Sequence, residues 1–302
     1  MVPELTMLEP SDLFSRKLLL VTGKGGIGKT LLTAALGQLA ASQGKRVLLV
    51  EYVACDQLAP LFGGQLPGHT ERTVAPRIDC VNIDPTENFR EYVTKYLKQK
   101  RLYDTIFSHR VVKSFINTVP GLAELMLLGR LFYHCELQEA RPYDLVILDA
   151  FASGHFLSLM TTPDAIRDTS IGGPLNKETE RVRNFLQDAS KCATVFVTIP
   201  EPLVVSETLD FLPLLREKSP SKVAALVVNR MPPDIMGLPM EGPATAYLRR
   251  AHTVAQEALA TLKSGIADTK LPLWTLPELG FVPTPLPGDF AARFFSRHGG
   301  EP

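Results

Sequence analysis

The residues best suited to chemistry lie in one glycine-rich stretch near the start of the chain. In order, they are Gly23, Lys24, Gly25, Gly26, Ile27, Gly28, Lys29 and Thr30. Glycines at this spacing let consecutive backbone N–H groups turn inward around phosphate oxygens. The spacing fits the Walker A pattern, in which a lysine reaches the β- and γ-phosphates and a hydroxyl binds Mg²⁺. Lys29 and Thr30 are the candidates for these two tasks.

The elements around this stretch are those that a phosphate-binding loop requires. Residues 18–21 form an apolar run that predicts a buried parallel strand, and residues 31–40 predict a helix. The positive end of that helix would face the phosphates. The predicted nucleotide-contacting residues are therefore those of the loop and the first turn of its helix: Gly25, Gly26, Ile27, Gly28, Lys29, Thr30 and Leu31.

A second motif lies at residues 143–149, where four apolar residues are followed by Asp149. A strand that ends in aspartate after a Walker A loop predicts a Walker B carboxylate, which holds Mg²⁺ directly or through water. Residues 150–155 then occupy the position of a switch loop. Gly154 is its candidate hinge for a response to the γ-phosphate. His155 is interpreted either as a structural histidine or as a hydrogen-bonding group of that loop.

Lys24, directly after the first glycine, adds more specific information. The form Lys-Gly-Gly-x-Gly-Lys-Thr resembles the deviant Walker A motif of one ATPase branch. That branch contains arsenical pump-driving ATPases, ATPases that target tail-anchored membrane proteins, and site-selection and plasmid-partition ATPases. The resemblance implies that ATP or ADP binds with Mg²⁺, and that Lys24 crosses a dimer interface to the partner's nucleotide. It extends over nearly the whole chain from residue 17 onward.

Several further positions resemble the arsenical-pump and tail-anchor ATPases. The Gly154-His155 pair after Asp149 matches a segment that reads Asp-Thr-Ala-Pro-Thr-Gly-His in those proteins. Members of the branch use an asparagine at a later strand end to read the adenine edge, since a carboxamide offers a donor and an acceptor. The resemblance assigns that role to Asn229, and Arg230 is grouped with it as nucleotide-binding. Asp84, in an Ile-Asp-Pro segment, is interpreted as a helix cap.

The largest departure from these relatives follows the second predicted strand, at residues 47–50. The relatives carry an aspartate there, in a segment that reads Asp-Pro-Ala, and an ungapped alignment puts it on Val53. Either Asp56 or Glu51 replaces that carboxylate, or hydrolysis is slow or absent. Asp56 is taken as the candidate catalytic residue, with Lys24, Lys29 and Asp149.

Two functions therefore stay open from the sequence. One is an ATP-hydrolysing dimeric switch that couples nucleotide state to a protein client or membrane partner. The other is a nucleotide-binding subunit of a heterodimer that hydrolyses weakly or not at all. A small-molecule kinase is disfavoured by the two lysines of the loop and by the lack of an arginine-rich lid.

Strands that alternate with helices predict a doubly wound, mostly parallel α/β sheet flanked by helices, the P-loop NTPase fold. Residues 1–15 are expected to form an extension. Residues 16–302 are expected to form a single domain with a small helical part around residues 86–140 and 157–190. Residues 67–76 are predicted to be a loop. An apolar stripe from Tyr247 to Leu262 is predicted to pack a helix on the sheet.

Bulk composition limits the remaining possibilities. The 302 residues carry a formal net charge of +0, so no overall attraction to nucleic acid or anionic membranes is expected. The four cysteines are far apart and predict reduced thiols of a cytosolic protein. No apolar run approaches the roughly 18 residues of a membrane-spanning helix, and no signal peptide is visible. A cytoplasmic homodimer, or a heterodimer with a related ATPase, is expected.

Overall fold

A computed structural model describes residues 9–64, 68–97, 120–140, 142–168, 174–235 and 242–296. Its centre is one eight-stranded sheet with the order β3-β4-β2-β5-β1-β6-β7-β8. The strands are β1 (Leu18–Gly23), β2 (Val47–Glu51), β3 (Arg72–Ala75), β4 (Ile78–Asn82), β5 (Leu145–Ala152), β6 (Cys192–Thr198), β7 (Val223–Met231) and β8 (Leu273–Pro277). All neighbouring pairs are parallel except β3 and β4. The predicted doubly wound, mostly parallel sheet is confirmed.

Helices cover both faces of this sheet. They are α1 (Lys29–Ser42), α2 (Leu58–Leu61), α3 (Pro85–Leu97), α4 (Leu122–Phe132), α5 (Ser153–Asp168), α6 (Pro174–Gln187), α7 (Pro202–Lys218), α8 (Pro243–Ile266) and α9 (Phe290–Ser296). One apolar core lies under α1 and α9, and the other lies under α4 to α8. A π-helical turn, Tyr133–Leu137, extends α4. Among the described helices, none is both long and apolar enough to cross a membrane.

Strand β1 occupies the middle of the sheet because its side chains are buried throughout and must be covered on both faces. Its neighbours are β5 and β6, and Val21 pairs in register with Asp149. This register brings the carboxyl end of β5 beside the glycine-rich loop that follows β1. Open α/β sheets bind their ligands at this edge.

The segment before β1 is partly packed into the same core. Pro10–Ser15 form a short 3₁₀ helix, and its Leu13 and Phe14 side chains are fully buried in the cluster that contains α1. The division between an extension at residues 1–15 and the domain stays a prediction. Residues 1–8 lie outside the described part of the chain.

The prediction of a loop at residues 67–76 is wrong for its second half. Residues 72–75 form β3, which pairs antiparallel with β4 at the edge of the sheet. Because β3 is an edge strand, its side chains are exposed or half-buried. Its sequence therefore does not need the apolar run that is typical of an interior strand. Residues 65–67 lie outside the described ranges.

The predicted switch loop at residues 150–155 is also wrong as a description of local structure. Strand β5 continues to Ala152, and α5 begins at Ser153 without an intervening loop. Gly154 therefore lies in the first turn of a helix, where it is exposed. The His155 ring lies near the Phe151 ring, with 6.4 Å between the ring centroids.

Two other predictions have clear outcomes at helix ends. Asp84 caps α3 as predicted, because its Oδ1 accepts the backbone N–H groups of Thr86 at 2.8 Å and Glu87 at 2.9 Å. The apolar stripe of α8 is buried only in its later part. Tyr247 is 72% exposed and Leu248 is 39% exposed, so the start of the predicted stripe does not pack on the sheet.

Candidate active site

The glycine-rich loop has a backbone that only glycine accommodates at both of its ends. Gly23 has a φ of +149°, and a Cβ there would collide with the Val197 carbonyl oxygen. Gly28 has a φ of +92° and directly precedes α1, and a Cβ there would collide with the Asn229 carboxamide nitrogen. The loop therefore turns tightly between β1 and α1, with its backbone close to β6 and β7.

Two side chains of this loop, those of Thr30 and Lys29, have defined hydrogen-bond partners. The Thr30 hydroxyl donates a hydrogen bond of 2.6 Å to Asp149 Oδ2. The Lys29 ammonium donates to the Lys24 carbonyl at 3.0 Å, so it lies over the loop itself. Burial raises the pKa of Asp149, although the Thr30 hydroxyl and the Lys29 charge oppose this. Burial likewise lowers the pKa of Lys29, and Asp149 opposes that change.

The Thr30–Asp149 pair suits a hard divalent cation. Asp149 Oδ1 is buried and has no hydrogen-bond partner among the described residues. A buried carboxylate oxygen without a partner is costly unless a cation or water satisfies it. Hydroxyl and carboxylate oxygens are also the protein ligands that Mg²⁺ prefers. These residues therefore fit the predicted metal.

Comparison with known proteins identifies the family of this chain. The family described as "Anion-transporting ATPase" matches residues 16–170, which is more than half of the chain. The chain belongs to the anion-transporting ATPase family. The match includes the glycine-rich loop, the loop after β2 and Asp149.

Individual relatives of this family member are named as ATPases. ATPase BagA of Mycobacterium tuberculosis is 29% identical over 235 residues, which cover 73% of this chain and 67% of the relative. ATPase GET3B of Arabidopsis thaliana is 24% identical over 330 residues, which cover 92% of this chain and 77% of the relative. ATPase ASNA1 homolog 1 of Paramecium tetraurelia is 28% identical over 181 residues, with coverages of 60% and 52%.

The loop after β2 is held together by one carboxamide, that of Asn82. Val53 is 38% exposed, and its backbone N–H and carbonyl both bond to the Asn82 carboxamide, at 3.2 and 2.9 Å. The same carboxamide donates to Asp56. Asp56, the predicted catalytic carboxylate, is therefore turned toward β4, and its catalytic role stays a prediction.

Glu51, the alternative carboxylate, lies at the end of β2 and is only 1% exposed. Its Oε2 accepts the backbone N–H groups of Gln57 at 2.9 Å and Leu58 at 3.2 Å. Burial raises the pKa of Glu51 to about 7, and the nearby charges of Asp56 and Asp149 add to this rise. The two N–H donors act in the opposite direction. Glu51 thus fixes the backbone of the loop that follows its strand.

Gln57 lies beside the candidate site, and the sequence analysis does not predict it there. Its carboxamide Oε1 lies 3.4 Å from the Thr30 hydroxyl, at the predicted metal site. The available signal was its position, because it follows a buried strand at the carboxyl edge of the sheet. The resemblance to relatives drew attention to Val53 and to the two carboxylates instead.

The Lys24 side chain is paired with a residue outside its own loop. Its ammonium forms an ion pair of 2.6 Å with Glu207 on α7, and both side chains are nearly half exposed. The cross-subunit role that the resemblance implies for Lys24 stays a prediction. Within the isolated subunit, Lys24 joins the glycine-rich loop to α7.

Asn229 and Arg230 lie beneath the same loop and bond to its backbone. The buried Asn229 carboxamide donates to the Ile27 carbonyl at 2.8 Å. The Arg230 guanidinium donates to the Gly26 carbonyl at 2.7 Å, from a backbone with a φ of +59°. Both side chains therefore brace the loop from β7. Their predicted contacts with nucleotide stay predictions.

Proposed function

We propose that this family member binds ATP with Mg²⁺ and hydrolyses it, as a dimeric switch that couples nucleotide state to a protein client or membrane partner. The observation that carries the proposal is the hydrogen bond between Thr30 and Asp149, directly below a glycine-bounded loop that also holds Lys29. The family match and the ATPase names of its relatives support the same chemistry.

Each group of the loop has a task in this proposal. The backbone N–H groups of residues 25–31 surround the phosphate oxygens, and the N-terminus of α1 adds its partial positive charge. The Lys29 ammonium exchanges the Lys24 carbonyl for oxygens of the β- and γ-phosphates. Thr30 and Asp149 would hold Mg²⁺, which when bound supplies positive charge against the phosphate oxygens.

The dimer in this proposal depends on Lys24. Its side chain is 44% exposed and is held by one ion pair of modest strength, so little free energy is needed to redirect it. Lys24 then leaves Glu207 and contacts the nucleotide of a second subunit. A second copy of this chain is the proposed partner subunit.

Nucleotide-dependent association tests this step. Sedimentation velocity of the wild-type protein should show a dimer with Mg²⁺ and a slowly hydrolysed ATP analogue, and a smaller species with ADP. Lys24→Ala should stay monomeric with either nucleotide while it still binds ATP. Lys222→Ala, an exposed lysine at the amino end of β7, is the matched control and should dimerise normally. Normal dimerisation of Lys24→Ala would show that Lys24 has no cross-subunit role.

A second candidate function rests on Val53. Its side chain carries no polar atom where the relatives place an aspartate, which favours a subunit that binds ATP but hydrolyses it weakly within a heterodimer. Turnover by the pure protein that disappears in Asp149→Ala would argue against this candidate. ATP binding without turnover would support it.

A further inference from the structure

The loop between β2 and α2 is fixed at one point by a buried carboxylate. Glu51 accepts two successive backbone N–H groups, those of Gln57 and Leu58, with the same oxygen. Hydrogen bonds to a carboxylate are among the stronger ones in proteins, and here the accepting side chain is buried. The backbone of Gln57 therefore has a defined position, although its side chain is exposed.

The Gln57 side chain extends from this fixed point toward the proposed metal site. Its Oε1 lies 3.4 Å from Thr30 Oγ1. Thr30 has a single hydroxyl hydrogen, and the bond of 2.6 Å to Asp149 takes it. The contact between Gln57 and Thr30 is thus long and weak, and the carboxamide keeps both its donor and its acceptor for another molecule.

The two positions of this loop that the sequence analysis singled out, Val53 and Asp56, do not supply such a group. Val53 has no polar side-chain atom, and Asp56 accepts from Asn82. The Tyr52 ring packs edge-on against the Phe151 ring, 5.4 Å between centroids. Gln57 is thus placed to contact a molecule beside Thr30 in a way that Val53 and Asp56 are not.

We propose that Gln57 orients the water that attacks ATP in this protein, and that Glu51 is its positioning residue. The inference rests on the proposed function. In it, Gln57 provides the polar group that Val53 lacks. A carboxamide can accept a hydrogen bond from water and donate one to a phosphoryl oxygen, as glutamines do in other P-loop hydrolases.

The step balances without a protein base. The water oxygen forms a bond to the γ-phosphorus, and the bond from that phosphorus to the bridging oxygen breaks. The electron pair of the broken bond leaves with ADP. Because a carboxamide is not basic at neutral pH, the proton of the water passes to an oxygen of the transferred phosphoryl group, and dihydrogen phosphate is released.

The first test compares Gln57→Ala with Cys55→Ser, a matched control at an exposed position of the same loop. Gln57→Ala should lower kcat for ATP by about tenfold or more, because the water loses its orienting group. Its dissociation constant for a fluorescent ATP analogue with Mg²⁺ should change by less than about twofold, since the phosphate contacts remain. Cys55→Ser should match the wild type in both measurements.

A second readout does not depend on turnover. Wild-type protein should retain a fluorescent ADP analogue in the presence of Mg²⁺ and aluminium fluoride, which mimics the phosphoryl group in transfer. Gln57→Ala should release it about tenfold faster, because the carboxamide no longer contacts the mimic. Equal retention and equal kcat in both proteins would overturn the role of Gln57.

Glu51 is tested by a pair of substitutions and a double mutant. Glu51→Gln keeps an oxygen that accepts the N–H groups, so kcat should stay within about threefold of the wild type. Glu51→Ala should lower kcat as much as Gln57→Ala, and the double alanine variant should be no worse than either single variant. If Glu51→Gln is as inactive as Glu51→Ala, the carboxylate itself is catalytic and the positioning role is wrong.

These outcomes separate the two proposals. Wild-type protein without turnover above a Lys29→Ala blank, and without retention of ADP by aluminium fluoride, would contradict hydrolysis itself and the role of Gln57 with it. Wild-type turnover that Gln57→Ala leaves unchanged would contradict only the role of Gln57.

Discussion

The Asn229 side chain is bonded directly to the backbone of the glycine-rich loop. Its nitrogen donates to the Ile27 carbonyl, and it fills the space that a Cβ on Gly28 would need. The resemblance to relatives predicts that this carboxamide reads adenine. The observed bond gives it a second task, which is to hold the glycine-rich loop in its turned conformation.

Asn229→Ala should therefore weaken the binding of ATP and GTP by a similar factor, about fivefold to tenfold for one lost buried hydrogen bond. Titration of fluorescent analogues of both nucleotides measures this. Asn184→Ala, at an exposed position on α6, is the control and should bind as the wild type does. A loss confined to the adenine nucleotide would instead establish adenine reading as the main role of Asn229.

Glu51 gives the folded protein a specific dependence on pH. Its pKa is raised from an ordinary value of 4.5 to about 7, mainly by burial and also by repulsion from Asp56 and Asp149. Between these two pH values the folded protein keeps a proton that the unfolded chain has lost. The contribution of Glu51 to the free energy of unfolding therefore falls as pH rises from 4.5 to about 7, and is constant above that.

Urea denaturation from pH 5 to 8, without nucleotide or metal, measures this contribution. Glu51→Gln removes the titrating group, so its stability relative to the wild type should rise with pH across this window and then level off. A constant difference between the two proteins at every pH would show that Glu51 does not titrate in that range.

At the scale of elements, the ion pair between Lys24 and Glu207 links the glycine-rich loop to α7. In the proposed dimer, Lys24 has to leave this partner before it contacts a second subunit. Glu207→Gln removes the charge that holds it and keeps the size of the side chain. The variant should dimerise at about twofold to fivefold lower concentration of an ATP analogue, as expected for a partly exposed pair.

Glu217→Gln is the matched control for this measurement, since it changes an exposed carboxylate on the same helix. It should associate at the same nucleotide concentration as the wild type. If Glu207→Gln dimerises less readily than the wild type, Glu207 supports the dimer and does not compete with it.

The elements themselves were predictable where they are buried or carry a strong local signal. Interior strands β1 and β5 each begin with four apolar residues, and Asp84 caps the start of α3. Strand β3 was missed because it is short, lies at the edge and is half-exposed, so pairing with β4 determines it. The direct passage from β5 into α5 was missed because its sequence resembles a loop of relatives, whereas Ala152 pairs with Gly23 and extends the strand.

At the scale of the whole molecule, the order of the strands assembles the site. The loop and helix after β1, the loop after β2 and the end of β5 meet because β5 lies between β1 and β2. The sequence motifs were sufficient to predict Thr30 beside Asp149. They were not sufficient to predict the contact between Gln57 and Thr30. That contact depends on the two hydrogen bonds by which Glu51 fixes the backbone at Gln57 and Leu58.

ATP turnover by the pure protein with Mg²⁺, with Lys29→Ala as the blank, decides whether this family member hydrolyses ATP. We expect phosphate release above the blank, because in the proposed site Lys29 contacts the triphosphate while Thr30 and Asp149 hold its metal. Asp149→Ala should abolish this release. ATP–Mg²⁺ binding with no phosphate release above the blank would contradict hydrolysis and leave a nucleotide-binding subunit that does not hydrolyse ATP.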